Sequence, residues 1–347
     1  MTVLRTSTTV RRAPIFARAG APRSHAPSYR VERGHGTRSS MAQALAALAA
    51  FTIALSSADA FGSPPANRAT ATLSGPVAAP AASAWVEGHG ERNRVIAGAL
   101  PTADGIALYA GIEMQMQTGW KTYWRNPGDD GGIPPFVSFE GSRNLTRAEL
   151  QYPVPSRLVE STGTSYGYKG MVVFPIRLEA QDPSQPIDLR VAFEFGICKE
   201  ICVPAEAAHR VVIVPEQIAS MPATLVRALD AVPRSVPVKV GGQPVTDVPL
   251  LVSADVDQAT KPASLKLVIE LPDGETWSGK RDGFLDATGS IMIGATAVTP
   301  DPAKRRVVFS APVSFGPDVD RLAGETVRLT LSGGPAPLEL TWQVPPR

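Results

Sequence analysis

Two cysteines, Cys198 and Cys202, are the only thiols in this 347-residue sequence, and they lie four residues apart. A close pair of this kind can form a disulfide that opens and closes to carry electrons, or a static disulfide that staples a short loop. On a straight β-strand their Cα atoms would lie about 13 Å apart, beyond the reach of a disulfide. The chain is therefore expected to make a tight turn, or one helical turn, between them.

The small loop makes a purely structural role less attractive, because closing it removes little chain entropy. In the loop-entropy description such a staple stabilises the fold by only about 2 kcal/mol. Lys199 favours the thiolate that disulfide exchange requires, whereas Glu200 opposes it. From these residues alone the pair is a redox centre or a staple, with metal binding as a third possibility.

Copper handling is the specific form of that third possibility. Met114 and Met116, together with the cysteines, offer soft ligands of the kind that Cu(I) prefers. Two methionines at this spacing on a strand share one face, however, and such residues more often belong to the core. His209, seven residues after Cys202, is interpreted as an ordinary strand residue because a lone histidine rarely signals chemistry. No cofactor is expected.

The first 60 residues have the composition of an export leader. They carry eight arginines and no lysine, followed by the uncharged, alanine-rich residues 41–55 and the small-x-small sequence Ala58-Asp59-Ala60. This apolar stretch is too short for a confident membrane span, so residues 1–60 are predicted to be a signal peptide, with an uncleaved anchor as the alternative. A periplasmic location follows, where a close cysteine pair is expected to be oxidised unless something reduces it.

The leader also accounts for the positive net charge of the chain. The whole sequence has a net charge of +2, and the leader carries eight arginines against Glu32 and Asp59, so the remainder is acidic. A nucleic-acid-binding function therefore loses its support. No later segment is apolar for long enough to span a membrane, and the mature chain is expected to be soluble.

Short strands separated by Pro and Gly dominate the rest of the chain and predict an all-β protein. Residues 61–84 are rich in Ala and Pro and are predicted to be a flexible linker. Residues 85–215 are assigned to a β-sandwich that contains the cysteines, and residues 216–236 to a connector with a helix over 221–231. Residues 237–347 are assigned to a second β-rich domain, in which no functional motif is recognised.

Five blocks in the first β-domain resemble the N-terminal domain of DsbD-type thiol:disulfide interchange proteins, especially the ScsB-like branch. They occur in the family's order, and together the resemblance covers about residues 85–215. The blocks are residues 120–132 (WKTYWRNPGDDGG), 152–155 (YPVP), 165–170 (SYGYKG), 173–176 (VFPI) and 198–204 (CKEICVP). Several separate blocks in order are more specific than the cysteine spacing alone.

The resemblance implies an immunoglobulin-like β-sandwich in the periplasm, with Cys198 and Cys202 as the redox pair. Such a pair receives electrons from a membrane-embedded thiol reductase and passes them to periplasmic thioredoxin-like proteins, as a protein-disulfide reductase component. Cys202 is expected to be the attacking residue. Tyr166, with Tyr168, is the candidate for the family's aromatic cap over the cysteines, and a core or turn role is the alternative.

The aromatic residues of the first block are expected to fill the core rather than to contact a partner; they are Trp120, Tyr123 and Trp124. The sequence lacks the membrane and thioredoxin-like domains that accompany this domain in full DsbD-like proteins, so the electron donor is expected to be a separate polypeptide. The principal alternative is a binding or assembly module with a structural disulfide, because a fold does not determine function.

Overall fold

The structure is a computed structural model that describes residues 81–345, apart from residues 104, 130, 162, 215–220, 258, 290, 302, 304 and 315–321. The predicted signal peptide (residues 1–60) and most of the predicted linker lie outside the described residues. Within them, β-strands predominate and one helix is present, which confirms the predicted all-β class.

Two facing sheets form what we call the first sandwich. One sheet has the strand order β1-β2-β3-β9-β6, and the other has the order β11-β10-β4-β8-β7, with β5 paired to β10. The strands are β1 (Val86–Glu87), β2 (Glu91–Thr102), β3 (Gly105–Met116), β4 (Lys121–Gly128), β5 (Phe136–Ser138), β6 (Leu145–Leu150), β7 (Ser156–Glu160), β8 (Gly163–Lys169), β9 (Met171–Ala180), β10 (Ile187–Cys198) and β11 (Cys202–Ile213).

The alternation along β10 shows how the sequence builds this core. Leu189, Val191 and Phe193 are at most 2% exposed and point between the sheets, while the intervening residues face outward. This period of two is what a strand with one buried face requires. Strand pairing also begins earlier than expected, because Ala82 bridges Ile96 of β2 within the segment predicted to be a linker.

The helix α1 (Ala223–Asp230) follows the first sandwich and begins after Pro222, close to the predicted span of 221–231. Leu225 and Ala228 are buried and pack with Ile96 and Val173, so the helix lies against the sheet that contains β2 and β9. Pro222 is suited to this position because a helix start has no need of its missing N–H.

The remaining strands form a second sandwich with its own core. Its sheets have the orders β12-β20-β19-β15 and β13-β14-β18-β16, with β17 paired to β18. The strands are β12 (Arg234–Pro237), β13 (Leu250–Asp257), β14 (Ser264–Glu270), β15 (Asp282–Ala287), β16 (Met292–Ile293), β17 (Ala297–Asp301), β18 (Arg306–Ser314), β19 (Thr326–Ser332) and β20 (Leu338–Gln343).

The two sandwiches pack directly on each other. Phe284 of β15 is 1% exposed and belongs to the core of the first sandwich, where its ring lies edge-on to Trp124 and Tyr166 at centroid distances of 6.0 and 5.0 Å. The side-chain amide of Asn126 donates to the carbonyl oxygens of Leu285 and Ile293, each at 2.8 Å. The second sandwich is therefore a fixed support for strands β4 and β8.

Candidate functional site: the disulfide hairpin

A β-hairpin positions the two cysteines. Strands β10 and β11 pair in register along their whole length, so that Cys198 and Cys202 face each other at the turn end of the hairpin, where residues 199–201 form the loop. The sulfurs are joined in a disulfide, and the Cα atoms lie 4.2 Å apart. The predicted tight turn is thus present, and the short Cα separation follows because directly opposed strand residues approach closely. We call β10, β11 and this loop the disulfide hairpin.

The two sulfur-bearing residues differ sharply in exposure. Cys198 is 1% exposed, whereas Cys202 is exposed at the beginning of the edge strand β11. Ile201, in the loop beside Cys202, is 76% exposed. An incoming thiolate therefore has access to the Cys202 side of the disulfide, and Cys198 is shielded by the fold.

Tyr123 of β4 provides the hydroxyl next to the disulfide. Its oxygen lies 3.0 Å from Sγ of Cys198 and 2.8 Å from Sγ of Cys202, and the residue is 1% exposed. Because disulfide sulfurs carry no hydrogen, the hydroxyl is the only possible donor in these contacts. When the disulfide is opened, the same hydroxyl can donate to a thiolate, which is a stronger acceptor.

A glycine makes room for this tyrosine. Gly132 has a φ of +131°, and a Cβ on it would lie only 2.5 Å from the nearest atom of the Tyr123 ring. The residues following β4 therefore cover the outer side of the ring closely, and a side chain at residue 132 would push it aside. Gly132, at the end of the first sequence block, therefore helps to position the hydroxyl.

Lys121, two residues before Tyr123, lies on the same face of β4. Its Cα is the register partner of Cys198, and the residue is 4% exposed. Its ammonium nitrogen lies 2.6 Å from Oε2 of Glu160 and 3.0 Å from Oγ of Ser165, and 5.6 Å from the centroid of the Tyr123 ring. A buried cation thus stands on the strand next to the buried cysteine.

The two tyrosines proposed as a cap occupy the inner face of β8. Tyr166 is fully buried, and its oxygen accepts a hydrogen bond from the backbone N–H of Thr296 in the second sandwich. Tyr168 is 7% exposed and donates to the carbonyl oxygen of Pro153 at 2.7 Å. Burial raises the pKa of both phenols, so both are neutral at physiological pH. Their assignment as a cap stays a prediction, and the observed hydroxyl at the sulfurs is that of Tyr123.

The other sequence-derived expectations concern burial. Trp124 is fully buried and Trp120 packs on the core, as expected for core aromatic residues. Met114 and Met116 are also core residues, on the sheet opposite the disulfide hairpin. Among the described residues, no group of three or more His, Cys, Asp or Glu side chains is arranged to hold a metal ion.

Sequence reasoning missed Lys121, Glu160 and the contact of Tyr123 with the sulfurs. The alternation of β4 could have placed Lys121 and Tyr123 on one face, but nothing local to the sequence says that β4 pairs with β10. The pairing itself brings residues 121 and 198 together across a sequence separation of 77.

Comparison with known proteins identifies this region. Residues 99–212 match the family model described as thiol:disulfide interchange protein DsbD, N-terminal. No curated protein matches the chain significantly. Among solved structures, the N-terminal periplasmic domain of ScsB from Proteus mirabilis is similar, with a TM-score of 0.56 and 17% sequence identity over 78% of this chain and 100% of that chain.

The structural similarity extends over more of the chain than the family match does. Because the sequence identity is low, this similarity bears on the fold alone. It confirms the immunoglobulin-like β-sandwich followed by a second β-rich domain. Within the part of the chain that the structure describes, no helix is long and apolar enough to cross a membrane. The family match and the position of the disulfide agree, and residues 99–212 form a DsbD-type N-terminal domain of the thiol:disulfide interchange family.

Proposed function

We propose that this protein is a periplasmic thiol-disulfide interchange protein that relays electrons through Cys198 and Cys202. The donor is a separate membrane-embedded thiol reductase, and the acceptors are periplasmic thioredoxin-like proteins. The observation that carries the proposal is the asymmetric disulfide at the end of a hairpin, with Cys202 exposed and Cys198 buried against the Tyr123 hydroxyl. The matched family and the periplasmic origin of the similar ScsB domain support the compartment.

Reduction would begin at the exposed sulfur. A donor thiolate attacks Sγ of Cys202, the bond between Cys202 and Cys198 breaks, and Cys198 leaves as a thiolate. A second donor thiolate attacks the donor sulfur of this mixed disulfide, so that Cys202 leaves as a thiolate and the donor becomes a disulfide. The protein has then gained two electrons, and its thiolates take up protons from water according to pH.

Delivery to an acceptor reverses these steps. The Cys202 thiolate attacks the acceptor disulfide and releases one acceptor thiolate, which gives a mixed disulfide. Cys198 loses its proton, attacks Sγ of Cys202 and releases the second acceptor thiolate. No histidine or carboxylate base is required, because a thiolate is itself a competent nucleophile.

Trapping tests this order of attack. In the reduced Cys198→Ser variant, Cys202 lacks its resolving partner, and we expect a stable mixed disulfide with an oxidised thioredoxin-like protein. The matched Cys202→Ser variant, in which only the buried thiol remains, should accumulate far less. Equal trapping by both variants would overturn the assignment of Cys202 as the attacking residue.

The reduction potential separates a relay from a staple. Structural disulfides usually have potentials below about −300 mV, and an exchanging pair should lie above that value. The Cys198→Ser/Cys202→Ser double variant should remain folded and lose only about 2 kcal/mol, the loop-entropy contribution of so small a ring. A potential well below this limit, with no exchange and a much larger stability loss, would favour a structural disulfide in a binding module.

A further inference from the structure

We propose that Lys121, oriented by Glu160 and Ser165, is the positioning residue that stabilises the Cys198 thiolate when the disulfide is opened. The inference rests on the proposed thiol-exchange function and deepens it. It assigns a role to a buried cation whose hydrogen-bond partners, Glu160 and Ser165, both lie in the first sandwich.

The strand register brings Lys121 to Cys198. The two residues are directly opposed on β4 and β10, and directly opposed antiparallel residues place their Cβ atoms about 5 Å apart on the same face. Tyr123 lies on that face as well, and its hydroxyl contacts both sulfurs. The ammonium group is 5.6 Å from the centroid of the Tyr123 ring, and it is hydrogen-bonded to residues of β7 and β8, so the ring of Tyr123 links the cation to the sulfurs.

The surroundings of the ammonium hold it in place and leave capacity for an anion. The lysine side chain is 5% exposed, and the bonds to Glu160 and Ser165 account for two of the three ammonium donors. The carboxylate of Glu160 is 32% exposed and is therefore partly solvated, so it screens the cation incompletely. Burying a charged lysine costs free energy unless it is paired with an opposite charge, and Lys121 is paired with Glu160.

The chemistry of the leaving group explains why a cation belongs here. Attack on the exposed Cys202 sulfur expels Cys198 as a thiolate that is 1% exposed and has little access to water. A buried anion of this kind forms readily only beside hydrogen-bond donors or positive charge. Tyr123 supplies the donor and Lys121 the charge, and the thiolate later takes a proton from water.

Other charged or titratable groups around the disulfide must be considered in the test. Lys199 and Glu200 are in the exposed hairpin loop, and Lys169 is the register partner of Lys121 on β8, with its side chain 50% exposed. The groups on the surrounding elements are Lys121, Tyr123, Glu160, Lys169, Lys199 and Glu200. Lys169 also lies 3.8 Å from Glu160, which makes it a matched control for loss of one positive charge.

The experiment titrates the lone Cys198 thiol in a Cys202→Ser background, by the ultraviolet absorbance of the thiolate. Lys121→Met should reduce the acid-dissociation constant of Cys198 about tenfold, since a nearby opposite charge commonly has at least this effect. Glu160→Gln should change it in the opposite direction, because the cation is then no longer neutralised. Lys169→Met should leave it within about twofold, since an exposed charge is screened by solvent.

A double variant distinguishes an effect of misfolding from an effect of the lost charge on the dissociation constant. The Lys121→Met/Glu160→Gln double variant leaves no unpaired buried charge, and it should fold and still show the reduced dissociation constant relative to Glu160→Gln. If Lys121→Met and Lys169→Met behave alike, or if the double variant equals Glu160→Gln, the inference is wrong. These titrations need no redox partner, so failure of the protein to exchange with thioredoxin-like proteins would overturn the proposed function and not this assignment.

Discussion

At the scale of single residues, the disulfide is defined by what each sulfur touches. Cys202 faces solvent, and Cys198 lies beneath the Tyr123 hydroxyl. Such an arrangement separates the roles of the two sulfurs, because the accessible one can be attacked while the shielded one leaves and later resolves. Replacing Tyr123 is therefore expected to change the rate of disulfide exchange more than the stability of the fold.

We expect Tyr123→Phe to slow reduction of the disulfide by a small dithiol about tenfold. The phenyl ring keeps the packing, but the donor to the developing thiolate is lost, and hydrogen bonds to charged groups contribute about 1.5–3 kcal/mol. The rate of thiol release, followed with a thiol-specific dye, measures the effect. Thermal unfolding should show a small change in stability.

Tyr168→Phe is the matched control for Tyr123→Phe. It also removes one buried hydroxyl from the same sheet, but that hydroxyl donates to the Pro153 carbonyl oxygen on the inner face. Its stability should fall by about 1 kcal/mol, while its reduction rate should stay near that of the unsubstituted protein. A slower reduction for Tyr168→Phe than for Tyr123→Phe would instead support the predicted cap role of Tyr168.

At the scale of elements, a buried polar cluster joins β11 to β2 and to the segment before β1. The ring of His209 is hydrogen-bonded to Oδ1 of Asn93 at 2.6 Å and to Oγ of Ser83 at 3.1 Å. Asn93 also donates to Oε2 of Glu91 at 3.0 Å. The histidine that the sequence suggested was an ordinary strand residue therefore fastens the edge strand of the disulfide hairpin to the opposite sheet.

This cluster predicts a pH dependence of stability. Burial lowers the pKa of His209 below 6.5, so the folded state binds fewer protons than the unfolded state in the window just below pH 6.5. The stability that neutral His209 contributes is therefore complete above that pH and is lost as pH falls through it, with a slope of at most about 1.4 kcal/mol per pH unit. Urea unfolding between pH 7 and pH 5, a range of about two units around the histidine pKa, measures it.

The variants for this measurement are His209→Gln and His89→Gln. Glutamine keeps an amide donor toward Asn93 but does not titrate, so His209→Gln should have a flatter stability profile in that window. His89 is exposed and should leave the slope unchanged when it is replaced. Burial also raises the pKa of Glu91, so the stability that its protonated form contributes falls as pH rises above 4.5. This effect is opposite in sign to that of His209, and it is the same in all three proteins. Parallel slopes for all three would contradict the prediction.

At the scale of the whole molecule, a half-buried arginine joins the two sandwiches. Arg125 of β4 lies 2.6 Å from Oδ2 of Asp286 and also bonds Glu339, both in the second sandwich. Burial disfavours the charged arginine, but the two carboxylates outweigh burial and raise its pKa above the usual value. The strand that carries Lys121 and Tyr123 is thus held from its far end by the second sandwich, which gives that sandwich a supporting role for the site.

We expect Arg125→Met to destabilise the protein by about 3 kcal/mol, because Glu339 loses the cation with which it is paired, whereas Asp286 keeps its pair with Arg328. Urea unfolding measures this loss, and the two sandwiches should still unfold together because Phe284 and Asn126 continue to join them. Arg147→Met is the control, since its side chain is 61% exposed and its pair with Glu149 should be worth less than about 1 kcal/mol. Equal losses in the two variants would show that the interface is not held by this arginine.

The sequence by itself determined the elements and the chemistry that depends on local pattern. The pattern of short strands separated by Pro and Gly predicted the all-β class, a helix was predicted over 221–231, and the spacing of Cys198 and Cys202 required a turn between them. The ordered blocks predicted the family of residues 99–212. These features are readable because burial imposes a period of two on strands and because turns demand particular residues.

Only the tertiary structure decided which residues surround the sulfurs. The pairing of β4 with β10 brings Lys121 opposite Cys198 and the Tyr123 hydroxyl to the sulfurs, Glu160 contacts Lys121 from β7, and Tyr166 faces inward toward the second sandwich. Strand pairing over long sequence separations depends on how the whole core closes, and no local pattern encodes it. The sequence therefore located the disulfide, while the fold made Cys202 accessible, placed a phenol beside Cys198 and put a lysine opposite it on the neighbouring strand.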